Sequence, residues 1–207
     1  MKHTFFLPLV ILLATSSSAI AQGPRAGVKG GVNLSTLYNN EVSDQNARVG
    51  LNAGFFGRTS VEDPIGLQVE LLYSSKGNRT NYDGVFGLID QTVDFNLNYL
   101  SIPAMIAFRF GDQAIELQAG GYAAYLMSAN ANTEGDLGTG SEELDKDNFN
   151  SFDAGLVGGI AFNAGVIQIG ARYEYGLMTI ADSDGAKLLL GDAKNACAQL
   201  YIAVGMP

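Results

Sequence analysis

The chain is poor in the residues from which most catalytic and redox sites are built. Its one cysteine, Cys197, cannot form an intrachain disulfide and reads as a small residue near the start of a strand. Its one histidine, His3, stands in a leader-like N-terminal stretch, so an exported chain loses the base that serine–histidine and aspartate–histidine hydrolases use. Tryptophan is absent, and proline is scarce, with five residues in 207. Cations are also few, 12 Lys and Arg against 21 Asp and Glu, for a formal charge of −9. So acidic a chain has no cluster of cations to hold a phosphate backbone, which excludes nucleic acid as a partner. No apolar run is long enough for a helix that crosses a membrane.

Glycine (26), phenylalanine (11) and tyrosine (9) are plentiful instead, a composition that favours β-structure over disorder. Residues 1–21 read as an export signal. Lys2 and His3 make a basic start, Phe5 to Ala14 an apolar core, and Ala19-Ile20-Ala21 a small-x-small cleavage pattern that leaves Gln22 as the new N-terminus. Residues 22–207 then form one domain, a length sufficient for a single substantial fold.

The stretch Gly165 to Leu177 shows the pattern of the whole. Ile167, Ile169, Ala171, Tyr173 and Tyr175 alternate with Gln168, Gly170, Arg172, Glu174 and Gly176, and side chains two apart share a face of a strand. Similar alternation predicts strands over 25–36, 48–60, 65–76, 92–109, 114–128, 151–162 and 196–206. Within 92–109 the apolar phase changes, from Val93, Phe95, Leu97 and Tyr99 to Leu100, Ile102, Ala104, Ile106 and Phe108. A bulge in this fourth strand at Tyr99, Leu100, Ile102 and Pro103 would account for the slip, since proline also removes one ladder donor. The connections between the eight strands alternate long and short, with 37–47, 77–91, 129–150 and 178–195 all at one end.

That asymmetry fits an all-β, eight-stranded, antiparallel up-and-down transmembrane barrel with short periplasmic turns and long extracellular loops. Strands of about 12 residues also suffice to cross a bilayer at a tilt, which needs roughly 9–11. In such a barrel the greasy face meets lipid and the charged face lines the lumen. The inward set comprises Lys29, Arg58, Glu70, Arg109, Glu116, Arg172 and Glu174, nearly balanced in sign and able to pair across a narrow interior. Eight strands leave room for side chains only, so the lumen is expected to be plugged.

Other patterns carry less. The glycine groups at 27–31, 120–121 and 158–159 lack dinucleotide or P-loop spacing, so no cofactor is expected. Asp182-Ser183-Asp184-Gly185 opens like a calcium loop but lacks the closing glutamate, and reads as a solvated turn. The acidic run Glu134, Asp136, Glu142, Glu143, Asp145 and Asp147 reads as a charged loop kept in water, with attraction of divalent cations near lipopolysaccharide as the sharper alternative. Arg172 with Glu174, and Glu70 with Glu116, read as structural groups of the lumen.

Gly27-Val28-Lys29-Gly30-Gly31-Val32-Asn33, the Tyr99-Leu100-Ser101-Ile102-Pro103 segment and the glycine-punctuated closing strands resemble the PorT-like, porin-annotated outer-membrane barrels of Gram-negative bacteria. Where such barrels close on an aromatic residue, this chain reads Gly205-Met206-Pro207. The resemblance implies export to the outer membrane, with outer-membrane lipid, lipopolysaccharide and the barrel insertion machinery as partners. The function expected is non-enzymatic, with external loops that bind, adhere or scaffold toward an unidentified ligand or protein. Two rivals stand beside it. One is a soluble, secreted or periplasmic lipocalin-like barrel with an apolar ligand inside. The other is a barrel enzyme acting on outer-membrane lipid, built without histidine from Ser, Asp, Glu or Lys.

Overall fold

The computed structural model describes residues 26–38, 46–59, 63–83, 90–135 and 138–206. The export signal at 1–21, Glu62, Asp136 and the middle of the first two long connections lie outside the described residues. The chain forms β1 (Ala26–Tyr38), β2 (Asn46–Arg58), β3 (Ile65–Asp83), β4 (Asp90–Phe110), β5 (Ile115–Gly135), β6 (Gly140–Leu144), β7 (Phe152–Ala164), β8 (Ile167–Thr179) and β9 (Lys194–Met206). One short helix, α1 (Asp184–Leu190), precedes β9.

Every long strand pairs antiparallel with its neighbour in sequence, β5 with β7 across the β6 excursion, and β1 pairs with β9 from Ala26↔Met206 to Tyr38↔Lys194. Eight strands thus close on themselves. Closure gives the ladder groups of the spanning strands partners within the protein, a necessity where the surroundings cannot hydrogen-bond. Among the described residues no helix is long and apolar enough to cross a membrane.

The alternation is resolved by exposure. Val69, Leu117 and Ile167 lie on the outside at 40 %, 44 % and 43 % exposure, whereas Arg172 and Glu116 lie inside at 3 % and 0 %. Phe55, Phe108, Phe110 and Phe162 face outward on the half nearer the short turns, and Tyr73, Tyr125, Tyr173 and Tyr175 on the half nearer the loops. Such rows suit the two boundaries of a hydrocarbon layer. At the short turns the backbone reverses in few residues. Gly165 sits at φ 62° between β7 and β8, a conformation that glycine reaches without steric cost.

Four expectations need correction. Residues 77–91 are not simply a polar connection: β3 runs on to Asp83 and β4 starts at Asp90, paired from Gly77↔Asn96 to Asp83↔Asp90. Residues 129–150 likewise continue β5 to Gly135, return as β6 and turn at Lys146–Asn148. The fourth long connection holds α1, and Asp182-Ser183-Asp184-Gly185, read as a solvated turn, forms its N-terminus, where the Ala186 backbone N–H donates to Ser183 Oγ at 3.2 Å. Polar composition had suggested loops, but cross-strand ladders formed in water tolerate polar residues on both faces.

The fourth correction concerns the bulge. β4 keeps one phase throughout, with Leu97, Tyr99, Ser101, Pro103 and Met105 inward and Leu100, Ile102 and Ala104 outward. The register does shift beside Tyr99, but the extra residue is Met127 of β5: Asn98 pairs with Ser128 and Tyr99 with Leu126. The apolar phase changes along β4 because the lumen itself turns apolar toward the loops.

Candidate functional site

The interior is a stack of three charged groups beneath an apolar cap. Nearest the short turns, Glu116 receives Arg109 Nε at 2.9 Å, Gln118 Nε2 at 2.6 Å and Gln168 Nε2 at 3.3 Å, with Arg58 4.0 Å away. Each of these side chains comes from an inward position of β2, β4, β5 or β8. Arg109 also donates to the Asp63 carbonyl at 3.1 Å, tying the group to the turn before β3.

In the middle, Arg172 grips Glu70 with two bonds, Nη1 to Oε2 at 2.8 Å and Nη2 to Oε1 at 2.9 Å. Lys29 Nζ reaches Oε2 at 3.0 Å, and Gln68 Nε2 reaches Oε1 at 2.7 Å. The carboxylate thus accepts four bonds, about the number of its lone-pair sites. The Tyr201 ring lies beneath both cations, 3.8 Å from Lys29 Nζ and 4.9 Å from the Arg172 guanidinium carbon. Gly170 makes that possible, because a methyl group on it would meet the Tyr201 ring at 2.5 Å. Gln118 joins the two lower groups: its Oε1 accepts from Arg172 Nη2 at 2.7 Å and from the Tyr201 hydroxyl at 3.3 Å.

Toward the loops, Lys76 Nζ lies 2.7 Å from Glu174 and 3.7 Å from Asp153. Asp153 also accepts from the Tyr122 hydroxyl at 3.0 Å and from Asn195 Nδ2 at 2.9 Å. Above them Leu37, Leu97, Leu126, Phe149, Ile180 and Ala193 pack together and close the outer end. Buried ions are costly singly, and here Glu70, Glu116 and Asp153 each sit beside a cation and accept hydrogen bonds while Glu174 is paired with Lys76, the arrangement that offsets the desolvation.

All seven charged residues singled out from sequence lie in this lumen: Lys29, Glu70 and Arg172 meet in the middle, Arg58, Arg109 and Glu116 below, and Glu174 above. Glu174 pairs with Lys76 of β3, not with its near neighbour Arg172. Lys76 and Asp153 were not singled out, although the inward alternation Gln68, Glu70, Leu72, Ser74 of β3 continues to Lys76. Asp153 likewise occupies the inward phase of β7, opposite Phe152 and Leu156. The apolar cap left no polar signal and was read only as a change of phase.

With the apolar residues outside and the ions inside, the question of family becomes decidable. Residues 20–182, most of the chain, match the family model described as the outer membrane protein beta-barrel domain. The chain belongs to that family. This outer-membrane barrel has the fold of Ail, the attachment invasion locus protein of Yersinia pestis, solved in complex with the heparin analogue sucrose octasulfate. The two are 17 % identical with a TM-score of 0.50, over 89 % of this chain and 100 % of Ail. Neisserial surface protein A is also similar, at 13 % identity and a TM-score of 0.48, over 87 % of this chain and 97 % of that one. No curated protein matches in sequence. The location is the outer membrane, and the soluble lipocalin-like alternative falls, since it needs the apolar face within and the charges without.

Proposed function

We propose that this is a non-enzymatic, non-conducting outer-membrane barrel that works through what it presents outside the membrane. The observation that carries the reading is the obstruction of the lumen along its length, by paired ions at three levels and by the apolar cap. A barrel without a passage acts through its exterior. Three adjacent long strands, with β6 beside them, supply one: β3 has 19 residues and β4 and β5 have 21 each, against 13 in β1, β2, β7, β8 and β9. At about 3.3 Å per residue the surplus carries a wall of β3, β4, β5 and β6 on the order of 20 Å past its neighbours.

Ail's sulfated ligand is a polyanion, and this chain is a poor candidate for the same chemistry. Glu134, Glu142, Glu143 and Asp145 stand on or next to the wall with Lys146 and Arg79 as the nearby cations, so a cationic or neutral partner fits better. Within the family, the Tyr99-Leu100-Ser101-Ile102-Pro103 segment supports placement among PorT-like members. The pattern of residues 1–21 supports cleavage after Ala21, with delivery to the outer membrane by the barrel insertion machinery and outer-leaflet lipopolysaccharide around the tyrosine row.

Reconstitution in planar bilayers tests the reading. Purified protein inserted in a bilayer is expected to give no stable open-channel current, and binding of intact cells to immobilised polycations is expected to exceed binding to heparin. A large steady conductance would overturn the closed lumen, and preferential heparin binding would overturn the assignment of partner charge.

A further inference from the structure

The outer face of the wall carries four asparagines on neighbouring positions, just above the tyrosine row. Asn96 and Asn98 follow the outward phase of β4, two residues apart, and pair across the ladder with Asn130 and Ser128 of β5. Asn132 comes next, paired with Asp94. The two outlying amides have partners. Asn98 accepts from the Tyr73 hydroxyl at 3.0 Å and donates to Ser128 Oγ at 3.0 Å, and Asn132 accepts from Ser141 Oγ at 2.7 Å. The central pair differs. Asn96 is 6 % exposed although it faces outward, and its Oδ1 makes no hydrogen bond within the protein. Asn130 Oδ1, directly across the ladder, is buried and unbonded as well. On the other side of Asn96 stands Gly77, where an added methyl group would run into the Phe95 carbonyl.

Buried polar atoms are nearly always partnered, so two adjacent unmet carbonyl oxygens on an outer face point to donors supplied by a ligand. The surroundings select which. Arg79 and Asp94 neutralise each other one rung up, and Glu143 pairs in the ladder with Asn130, so the centre of the panel does not attract an anion. The unmet oxygens belong to neutral amides, which take hydroxyl or amide donors. An extended peptide is a poor fit, because it adds to a free strand edge, whereas β4 and β5 have partners on both sides here. A sugar ring fits. It brings hydroxyls at its rim for the amides and C–H faces for an aromatic ring, and the Tyr73 hydroxyl is fixed on Asn98, about 7 Å along the strand from Asn96.

We infer that the outer face of the wall binds an uncharged sugar, with Asn96 and Asn130 accepting from its hydroxyls and Tyr73 packing on its ring. This deepens the external role proposed above and rests on it. Its failure would leave the closed lumen and the choice among charged partners untouched, since conductance and polycation binding test those. Uncharged sugar reaches the panel from two sources: glycans outside the cell, and the saccharide of the outer leaflet, which stands at the height of the tyrosine row.

Two measurements on the full barrel in nanodiscs test the site and separate the sources. In the first, barrel in phospholipid is applied to an array of uncharged, sialylated and sulfated glycans. Binding to uncharged glycans is expected, about tenfold or more weaker in the double variant Asn96→Leu, Asn130→Leu, which loses both amides. In the second, the side-chain amide resonances of Asn96 and Asn130 are compared by NMR between nanodiscs of phospholipid, of lipid A and of complete lipopolysaccharide. A shift with lipopolysaccharide but not with lipid A assigns the sugar to the outer leaflet, and array binding assigns it to glycans from outside. Resonances unmoved by lipopolysaccharide together with an array bare of uncharged glycans overturn the inference. So does array binding of equal strength in the double variant, binding confined to sulfated or sialylated glycans, or a shift as large with lipid A alone, which its phosphates would explain. If the double variant does not fold, array selectivity and the resonances of the natural protein decide.

Discussion

Glu70 is the side chain on which the lumen's charges converge, and its removal separates pairing from packing. Glu70→Gln keeps the shape and leaves Lys29 and Arg172 facing each other without a counter-ion, at 0 % side-chain exposure. Breaking a buried pair by removing one partner costs about 3–5 kcal/mol, so the urea midpoint of the bilayer-inserted barrel is expected to fall by that equivalent. Glu70→Gln with Arg172→Met is expected to recover much of the loss, since an apolar side chain needs no counter-ion. Both variants are read by the boiling-dependent shift in gel mobility that a folded barrel shows. The inward membership of this network was legible because lysine, arginine and glutamate fell in the polar phase of strands otherwise apolar on alternate positions. The choice of partner was not: Glu174 is two residues from Arg172 yet bonds to Lys76, 98 positions away in sequence, because barrel closure brings β3 opposite β8. The cap residues Leu37, Leu97 and Leu126 were hidden for a different reason, since an inward leucine has the same letter as a lipid-facing one.

At the scale of elements, the spanning strands were legible and the extramembrane wall was not. Strand periodicity depends on one face being apolar, and beyond the bilayer neither face need be. Thr80 and Asn132 therefore read as loop although they stand in ladders. The β3–β4 part of the wall is pinned by Arg79 and Asp94, bonded at 2.6 and 2.7 Å. Those bonds hold the Asp94 carboxyl below its ordinary value. A depressed carboxylate contributes stability above its unfolded pKa, roughly 3.9, and loses it as the pH falls through the folded value. The wall is therefore expected to keep its hairpin from neutral pH down to about 4, and NMR titration of Asp94 is expected to give a midpoint below that. Arg79→Ala should return the midpoint to the ordinary range with a stability loss under about 1 kcal/mol, as for other exposed pairs. The β5 bulge yields a second expectation. Asn98 and Tyr99 are consecutive on β4 while Ser128 and Leu126 flank Met127 on β5, so deleting Met127 leaves both partners in place. That deletion is expected to fold with a near-normal thermal midpoint, whereas deleting Leu100, which is paired on both sides, displaces two ladders and is expected to abolish folding.

For the whole molecule, the decisive property is which solvent meets which face, and the lack of tryptophan makes it directly measurable. Leu200 and Tyr201 are consecutive in β9, so their side chains point to opposite faces: Leu200 is 63 % exposed and Tyr201 3 %. Leu200 pairs with Val32 and Ala171, midway along β1 and β8, which puts it near the middle of the apolar belt. Leu200→Trp therefore puts the chain's one indole in hydrocarbon, and its fluorescence is expected to be strongly quenched by lipids brominated along the acyl chain. Tyr201→Trp puts the indole beneath Lys29 and Arg172, where an aromatic face still attracts both cations, and lipid bromine is expected to have little effect. Quenching in the opposite order would mean that β9 is turned by one residue, which would carry the ions of every neighbouring strand into lipid. Two-residue periodicity leaves no intermediate arrangement, so one pair of fluorescence measurements reports the orientation of all eight strands, and with it the closed lumen on which the external role depends.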